Sequence, residues 1–352
     1  MHIPDGYLSP QTYVPAYGAM VPIWAVASRV LKKTLRTRQV PTLALGAAFC
    51  FVIMMFNIPV FGGTSGHAAG AVLVAVLLGP WAAVMAVSLA LIVQALIFGD
   101  GGITAIGANC LNMAVVMPFV GWGVYRLIAG KAPAGSRRHS IGAAVGGYVG
   151  LNAAALATAV MFGIQPMIAR GADGHALYCP FGLNVAIPAM LIPHLLLVGF
   201  VEAIITGLVV NYIQLTEPSM IPARSPSRAV RKRLPTPARL AIGLGLLVLI
   251  SPLGLYLPAR FAAGSAWGEW SAAEIEKMVG YTPAQMERLD GKWRAPIPDY
   301  ELHGRSPTLV YILSGMVGVG VVAIGVLSMR KVLSRKEPDE LAPGVDATPK
   351  RR

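Results

Sequence analysis

Residues 81–98, WAAVMAVSLALIVQALIF, run for eighteen positions without a charged side chain, and comparable stretches recur along the chain. Crossing ~30 Å of hydrocarbon takes about 20 residues of helix. In lipid, a backbone amide must find its partner within the protein, so such runs are expected to be helices. A membrane barrel would instead show ten-residue segments of alternating polarity, and none occur. Only 13% of the residues are charged and 55% are apolar, against the ~25% charged residues with which a soluble domain covers itself. Lipid must therefore solvate much of the surface.

Apolar runs place helices at 11–30, 41–57, 68–79, 81–98, 108–129, 141–163, 183–213, 239–257 and 307–329. The expected fold is all-α: a polytopic transmembrane bundle of about seven helices over 1–215, followed by a two-helix unit. Residues 68–79 are too short to span alone, and Gly79-Pro80 breaks the run. This hairpin either dips in from the outer side or packs as a short, steep pair among its neighbours. Residues 216–238 read as a basic cytoplasmic linker. Residues 239–330 read as two membrane helices joined by an extracytoplasmic segment, 258–306, and 331–352 as a disordered tail. Two helix starts are written into the outer segment: a capping box at Ser271–Glu274 with Gly280 as the stop, and Thr282–Gln285 with Gly291 as the stop. Gly142, Gly146 and Gly150, four residues apart, offer a surface for close helix contact, internal or with a partner.

Lysine and arginine set the topology. They crowd into 29–38, 126–138, 224–239 and the tail beyond Arg330, and are sparse in the alternate segments. Lys- and Arg-rich loops stay cytoplasmic, which predicts an extracytoplasmic amino terminus and a cytoplasmic carboxy terminus in a multi-pass bacterial inner-membrane protein. The net charge of +13 is thus a topological signal; no nucleic-acid partner is expected. Three cysteines, Cys50, Cys110 and Cys179, make no disulfide framework. The opening MHIPDGYLSP has no basic residue ahead of an apolar run, so no cleaved leader is expected and the chain is read as starting at Met1.

That start directs attention to His2. The α-amine of Met1, the main-chain nitrogen of His2 and its Nδ1 can chelate one ion in adjoining rings. Deprotonating a peptide nitrogen favours a strongly bonding, square-planar ion such as Ni(II), Cu(II) or low-spin Co(II), whereas zinc prefers a tetrahedral set of side chains. Alone, a histidine at position two is more often an ordinary polar residue in a frayed terminus. His67, at the end of the glycine-rich run Asn57–His67, falls on the same side of the membrane in the predicted topology. A histidine at a helix start also serves as a plain hydrogen bonder, so the pair, not either residue, carries the argument.

The segments MHIPDGYLSP (1–10), PVFGGTSGHAAG (59–70), LLGPWAA (77–83), DGGITAIGANCLNM (100–113) and PHLLLVGFVEAIIT (193–206) resemble the CbiM/NikM family. Its members are the metal-binding membrane components of energy-coupling-factor transporters for cobalt and nickel. The resemblance covers about residues 1–215, and implies Met1, His2 and His67 as ligands to Co2+ or Ni2+, the transported substrate, with the amino-terminal segment plugging inward to the His67 loop. It also implies separate partners: a membrane coupling subunit and two ATP-binding subunits. No phosphate-cradling glycine loop followed by Lys-Ser/Thr occurs here. The carboxy-terminal unit has the topology of a small accessory membrane subunit.

A metal-bound histidine usually passes its other nitrogen to a partner, which makes Asp5, Asn57, Ser65, Asn109 and Asn112 candidate supports. Each also fits a turn or a helix end, and Asp100 with Gly101-Gly102 reads as a cap for the following helix. His194 and Glu202, eight residues apart on one helix, suggest a polar network or gating contact, because a carboxylate in the membrane is expensive. His175 reads as exposed, or as a transient ligand on the way in, and His139 as idle. Other readings are a metal-gated channel, a membrane metal sensor or an intramembrane metalloprotease. The protease lacks a paired-histidine helix with a glutamate, and a pore lined by acidic rings has only Glu202 to draw on.

Overall fold

The structure is a computed structural model that describes residues 1–133, 135–217, 220, 236–289 and 292–333. Its elements in chain order are α1 (Pro10–Thr34), α2 (Val40–Met54), the short antiparallel pair β1 (Ile58–Val60) and β2 (Thr64–Gly66), α3 (Ala71–Leu78) and α4 (Pro80–Val93). They continue with α5 (Ile106–Asn109), α6 (Met117–Ala129), α7 (Arg137–Gly163), α8 (Gln165–Ile168), α9 (Leu183–Pro193) and α10 (Gly199–Thr216). The carboxy-terminal part adds α11 (Thr236–Ile250), α12 (Leu253–Arg260), α13 (Ala272–Val279), α14 (Ala284–Leu289), α15 (Pro307–Ser328) and α16 (Arg330–Leu333). Eight helical stretches among the described residues are long and apolar enough to cross a membrane. The chain is an all-α, multi-pass membrane protein.

Several spans are built from two helices joined by one wide, π-type turn. Cys110–Val116 links α5 to α6 just ahead of Pro118, and His194–Val198 links α9 to α10 just after Pro193. Pro118 has no N–H to give and its ring crowds the preceding turn, so the helix widens ahead of it and does not stop. Lipid-facing positions carry exposed apolar side chains such as Leu127, Leu208, Leu246 and Ile324. The short α3 is the opposite case: Ala71 through Val76 are all buried. The hairpin with α4 thus belongs to the bundle interior, the second of the two placements that residues 68–79 allowed.

The glycine row of α7 finds its partner within the chain. A β-carbon on Gly146 would lie 2.5 Å from the carbonyl oxygen of Gly121, and one on Gly150 would lie 2.6 Å from that of Met117. Main chain therefore meets main chain between α6 and α7, and any side chain at these positions would push the helices apart. In the carboxy-terminal part, Gly318 of α15 lets the Phe51 ring of α2 lie against its backbone, and the Tyr311 hydroxyl donates to the Met55 carbonyl at 2.7 Å. The capping box at Ser271–Glu274 forms as read, with Gly280 in the left-handed region closing α13. Gly291, most of the basic linker and the tail beyond Leu333 fall outside the described residues. All three cysteines are free and buried.

Replacing Gly146 by leucine should lower stability by about 1–3 kcal/mol through overpacking. Leucine at Gly123, where nothing lies within 4 Å of an added β-carbon, should cost little. Thermal melts of the two purified variants in one detergent check this; equal melting points would refute the close α6–α7 contact.

Candidate metal centre

The first nine residues do not fray. They run into the end of the bundle, where Met1, His2, Ile3, Tyr7 and Leu8 are buried. A buried strand of main chain needs a partner for each polar group, and the bundle supplies them. Ile3 N–H donates to Asn109 Oδ1 at 2.9 Å, and the Ile3 carbonyl accepts from Asn109 Nδ2 at 3.2 Å and from Gly102 N–H at 2.8 Å. Farther along, Ser9 N–H donates to the Gln165 side chain, Cys179 N–H donates to the Tyr7 carbonyl, and the Tyr7 hydroxyl donates to the Trp270 carbonyl. Ile3, Tyr7 and Leu8 share a satellite apolar cluster with Phe162, Ile275 and Met286, so α13 and α14 help to hold the plug in place. Gly102 is required here: a β-carbon would collide with the Asp5 main-chain nitrogen and lie 2.6 Å from the Pro4 carbonyl carbon.

This path brings His2 onto His67. Their rings stack with centroids 5.0 Å apart and 24° between planes, and both residues are buried. His67 Nδ1–H donates to the Ala68 carbonyl at 3.0 Å, which fixes the tautomer and leaves a lone pair on Nε2. That Nε2 is buried and has no hydrogen-bond partner among the described residues, and neither has His2 Nε2. Burial, reinforced by the nearby α-amine and the His2 ring, holds the His67 imidazole well below its ordinary pKa, so it is neutral and able to bind a cation.

The other nitrogens are held by two carboxylates. One oxygen of Glu269 accepts from the Met1 amine at 3.2 Å and from His2 N–H at 3.1 Å. Asp100 Oδ1 lies 3.0 Å from His2 Nδ1, while its Oδ2 accepts from the Tyr300 hydroxyl at 2.6 Å. Burial works to raise the Asp100 carboxyl, but the adjacent His2 ring and the Tyr300 hydroxyl outweigh it and hold its pKa below the usual carboxylate range. Asp100, Glu269 and Asp5 line a cavity of about 630 Å³ between the bundle and the carboxy-terminal segment, together with Asp299 and Glu301.

The supporting residues divide. Asn109 grips the residue next to His2. Asp5 touches neither histidine: it accepts from the main-chain N–H groups of Ile103 and Thr104 at 3.0 and 2.8 Å, capping the helix start that Asp100 was expected to cap. Asp100 in turn takes the histidine. Asn112 faces away and donates to Thr158 of α7, because the wide turn after Asn109 rotates the two asparagines onto different faces. Asn57 and Ser65 line the cavity without reaching an imidazole, and Ser65 bridges to Ala266. His194 Nδ1–H donates to the Met190 carbonyl at 2.6 Å, and its Nε2 has no partner among the described residues. Glu202 reaches the His67 loop, accepting from Ala69 and Gly70 N–H at 2.9 and 3.1 Å. His175 is exposed and stacks on Tyr281. His139 is not idle but buried, joining the Tyr125 hydroxyl to the Ala132 carbonyl.

A buried amine, two stacked imidazoles and an inserted amino terminus lie together at one end of a multi-pass membrane bundle, an arrangement suited to handling a metal ion. The chain belongs to the CbiM family, described as the cobalt uptake substrate-specific transmembrane region, which matches residues 2–220; residues 239–335 match a PDGLE domain. It is 46% identical to the fused nickel transport protein NikMN of Rhodobacter capsulatus, over 93% of this chain and 96% of that one. It is 44% identical to the probable fused nickel transport protein LarMN of Lactiplantibacillus plantarum, over 91% and 94%. A crystal structure described as a truncated transition metal transporter is similar at 55% identity and a TM-score of 0.57, covering 61% of this chain and 98% of that one.

Asn109→Leu should leave the buried Ile3 N–H without a partner, at a cost of about 1–3 kcal/mol, and free the plug. Hydrogen exchange at residues 3–9 should accelerate in this variant and not in Asn112→Leu. Unchanged exchange in Asn109→Leu would show that the plug is held by other means.

Proposed function

We propose that this chain is the metal-capture component of an ATP-driven importer for nickel or cobalt, binding the ion through the Met1 amine, the His2 main-chain nitrogen, His2 Nδ1 and His67 Nε2. The observation that carries the reading is the stacking of His2 on His67 beside a buried amine, with His67 Nε2 left without a hydrogen-bond partner among the described residues. Four nitrogens in one plane suit low-spin d⁸ Ni(II) or low-spin Co(II). Loading exchanges the two carboxylates for the ion: Glu269 gives up the amine and the His2 amide, Asp100 gives up Nδ1, and protons leave with the exchange. The membrane-facing surface and the relatives named as nickel and cobalt transport proteins support the same reading.

In this reading the site end of the bundle faces outside a bacterial inner membrane, and the Arg- and Lys-rich segments lie in the cytoplasm. Energy comes from two ATP-binding subunits through a membrane coupling subunit. The carboxy-terminal unit acts as a fused accessory subunit for loading, a role that suits the reach of Glu269 into the site.

The test is nickel and cobalt binding to the purified chain with an unmodified amino terminus, beside His2→Ala, His67→Ala and a chain with one residue added before Met1. The native chain should bind with the absorption of a flat nitrogen complex. The extended chain and His2→Ala should lose binding, and His67→Ala should weaken it. Tight binding by the extended chain would overturn the proposal, since it lacks an amine in position.

A further inference from the structure

We infer that Glu202 is the positioning residue for His67: from the middle of a membrane helix it fixes the loop that aims the imidazole at the amino terminus. The inference rests on the site proposed above.

The run His67-Ala68-Ala69-Gly70 has little with which to hold itself. Beyond the imidazole it carries no polar side chain, and His67 Nδ1–H is spent on the neighbouring Ala68 carbonyl. Gly70 sits in the left-handed region at φ +70° as the amino-terminal cap of α3, and no side chain in its own segment caps the helix. The exposed N–H groups at the start of a helix must be met by an acceptor. Here the acceptor comes from another helix. Glu202 is fully buried in α10, its Oε2 takes both Ala69 N–H and Gly70 N–H, and its Oε1 takes the Thr206 hydroxyl at 3.1 Å. Thr206, one turn farther along α10, thereby sets the carboxylate's orientation. No lysine or arginine pairs with Glu202 among the described residues.

A carboxylate in the bilayer without a cationic partner is costly and is kept where it serves a purpose. The favourable end of the α3 dipole and three donors offset that cost, and the groups thus secured lie two and three residues from His67. Two residues of chain span at most about 7 Å, so the place of the imidazole follows from the place of Glu202. A planar metal site tolerates only about 0.5 Å of error in a ligand. Glu202 therefore controls the fourth ligand and not the three supplied by residues 1 and 2, which hang from Asn109, Asp100 and Glu269.

A double-mutant cycle on the full-length chain with its native amino terminus tests this, with nickel as the probe. Glu202→Leu and His67→Ala should each weaken binding by about 10–100-fold, with the same altered nickel absorption. The double variant should bind no more weakly than His67→Ala, because the loop has nothing left to aim. Glu202→Gln, which keeps an oxygen for the two amides, should recover most of the loss. If Glu202→Leu does not yield folded protein, Glu202→Asp, one methylene too short to reach the loop, takes its place in the cycle. Losses that multiply in the double variant, to within about a factor of two, would mean a general structural role and overturn the inference. So would native affinity in the Glu202 variant alongside a weakened His67→Ala. Native affinity in His67→Ala would instead overturn the site itself.

Discussion

The two-way hydrogen bond between Asn109 and Ile3 is the point on which the centre depends. A buried chain terminus must have its amides met by the protein around it, and a polar group left without a partner is costly. Asn109 meets both main-chain groups of Ile3 at once, and Gly102 adds a second donor to the carbonyl. With Ile3 fixed, only two residues remain beyond it, and they can reach little except the pocket formed by His67, Asp100 and Glu269. The wide turn after Asn109 serves the same end, because it separates the face that grips the terminus from the face that packs on α7.

Much of this was legible in the chain. Long apolar runs give the spans, since period and length suffice where lipid removes every alternative to helix. His2 and His67 stand out because histidines are few and the topology puts these two on one side. The carboxylates were not legible. Glu269 is separated from the amine by 268 positions and is a single acid between Gly268 and Trp270, with the look of any loop residue. Asp100 beside Gly101-Gly102 has the composition of a helix cap, and Asp5 that of a histidine partner; the fold exchanges the two roles. Both exchanges are contacts across chain distance, and neither leaves a local pattern. Glu202 was conspicuous as a buried acid, yet besides the Thr206 hydroxyl its partners are the main-chain amides of Ala69 and Gly70, which no side-chain pattern can announce.

The two carboxylates also bear on how such a site can let go. Four well-placed nitrogens around a first-row ion bind tightly, and a protein that imports its cargo must release it. In the metal-capture reading, the unloaded state is not a set of free nitrogens: the amine, the amide and Nδ1 each begin in a hydrogen bond to a carboxylate. A hydrogen bond involving a charged group is worth about 1.5–3 kcal/mol net. Surrendering the two contacts of the amine and Nδ1 therefore lowers the apparent affinity by two orders of magnitude or more, since each ~1.4 kcal/mol is tenfold. The same contacts hold the nitrogens convergent, so little ordering is left to do when the ion arrives. Weaker binding and readiness to bind thus come from the same two side chains, one from the loop before α5 and the other from the carboxy-terminal unit. In that reading, residues 239–333 contribute Glu269, the acceptor that keeps the Met1 amine, an outer donor of the chelate, buried and aimed.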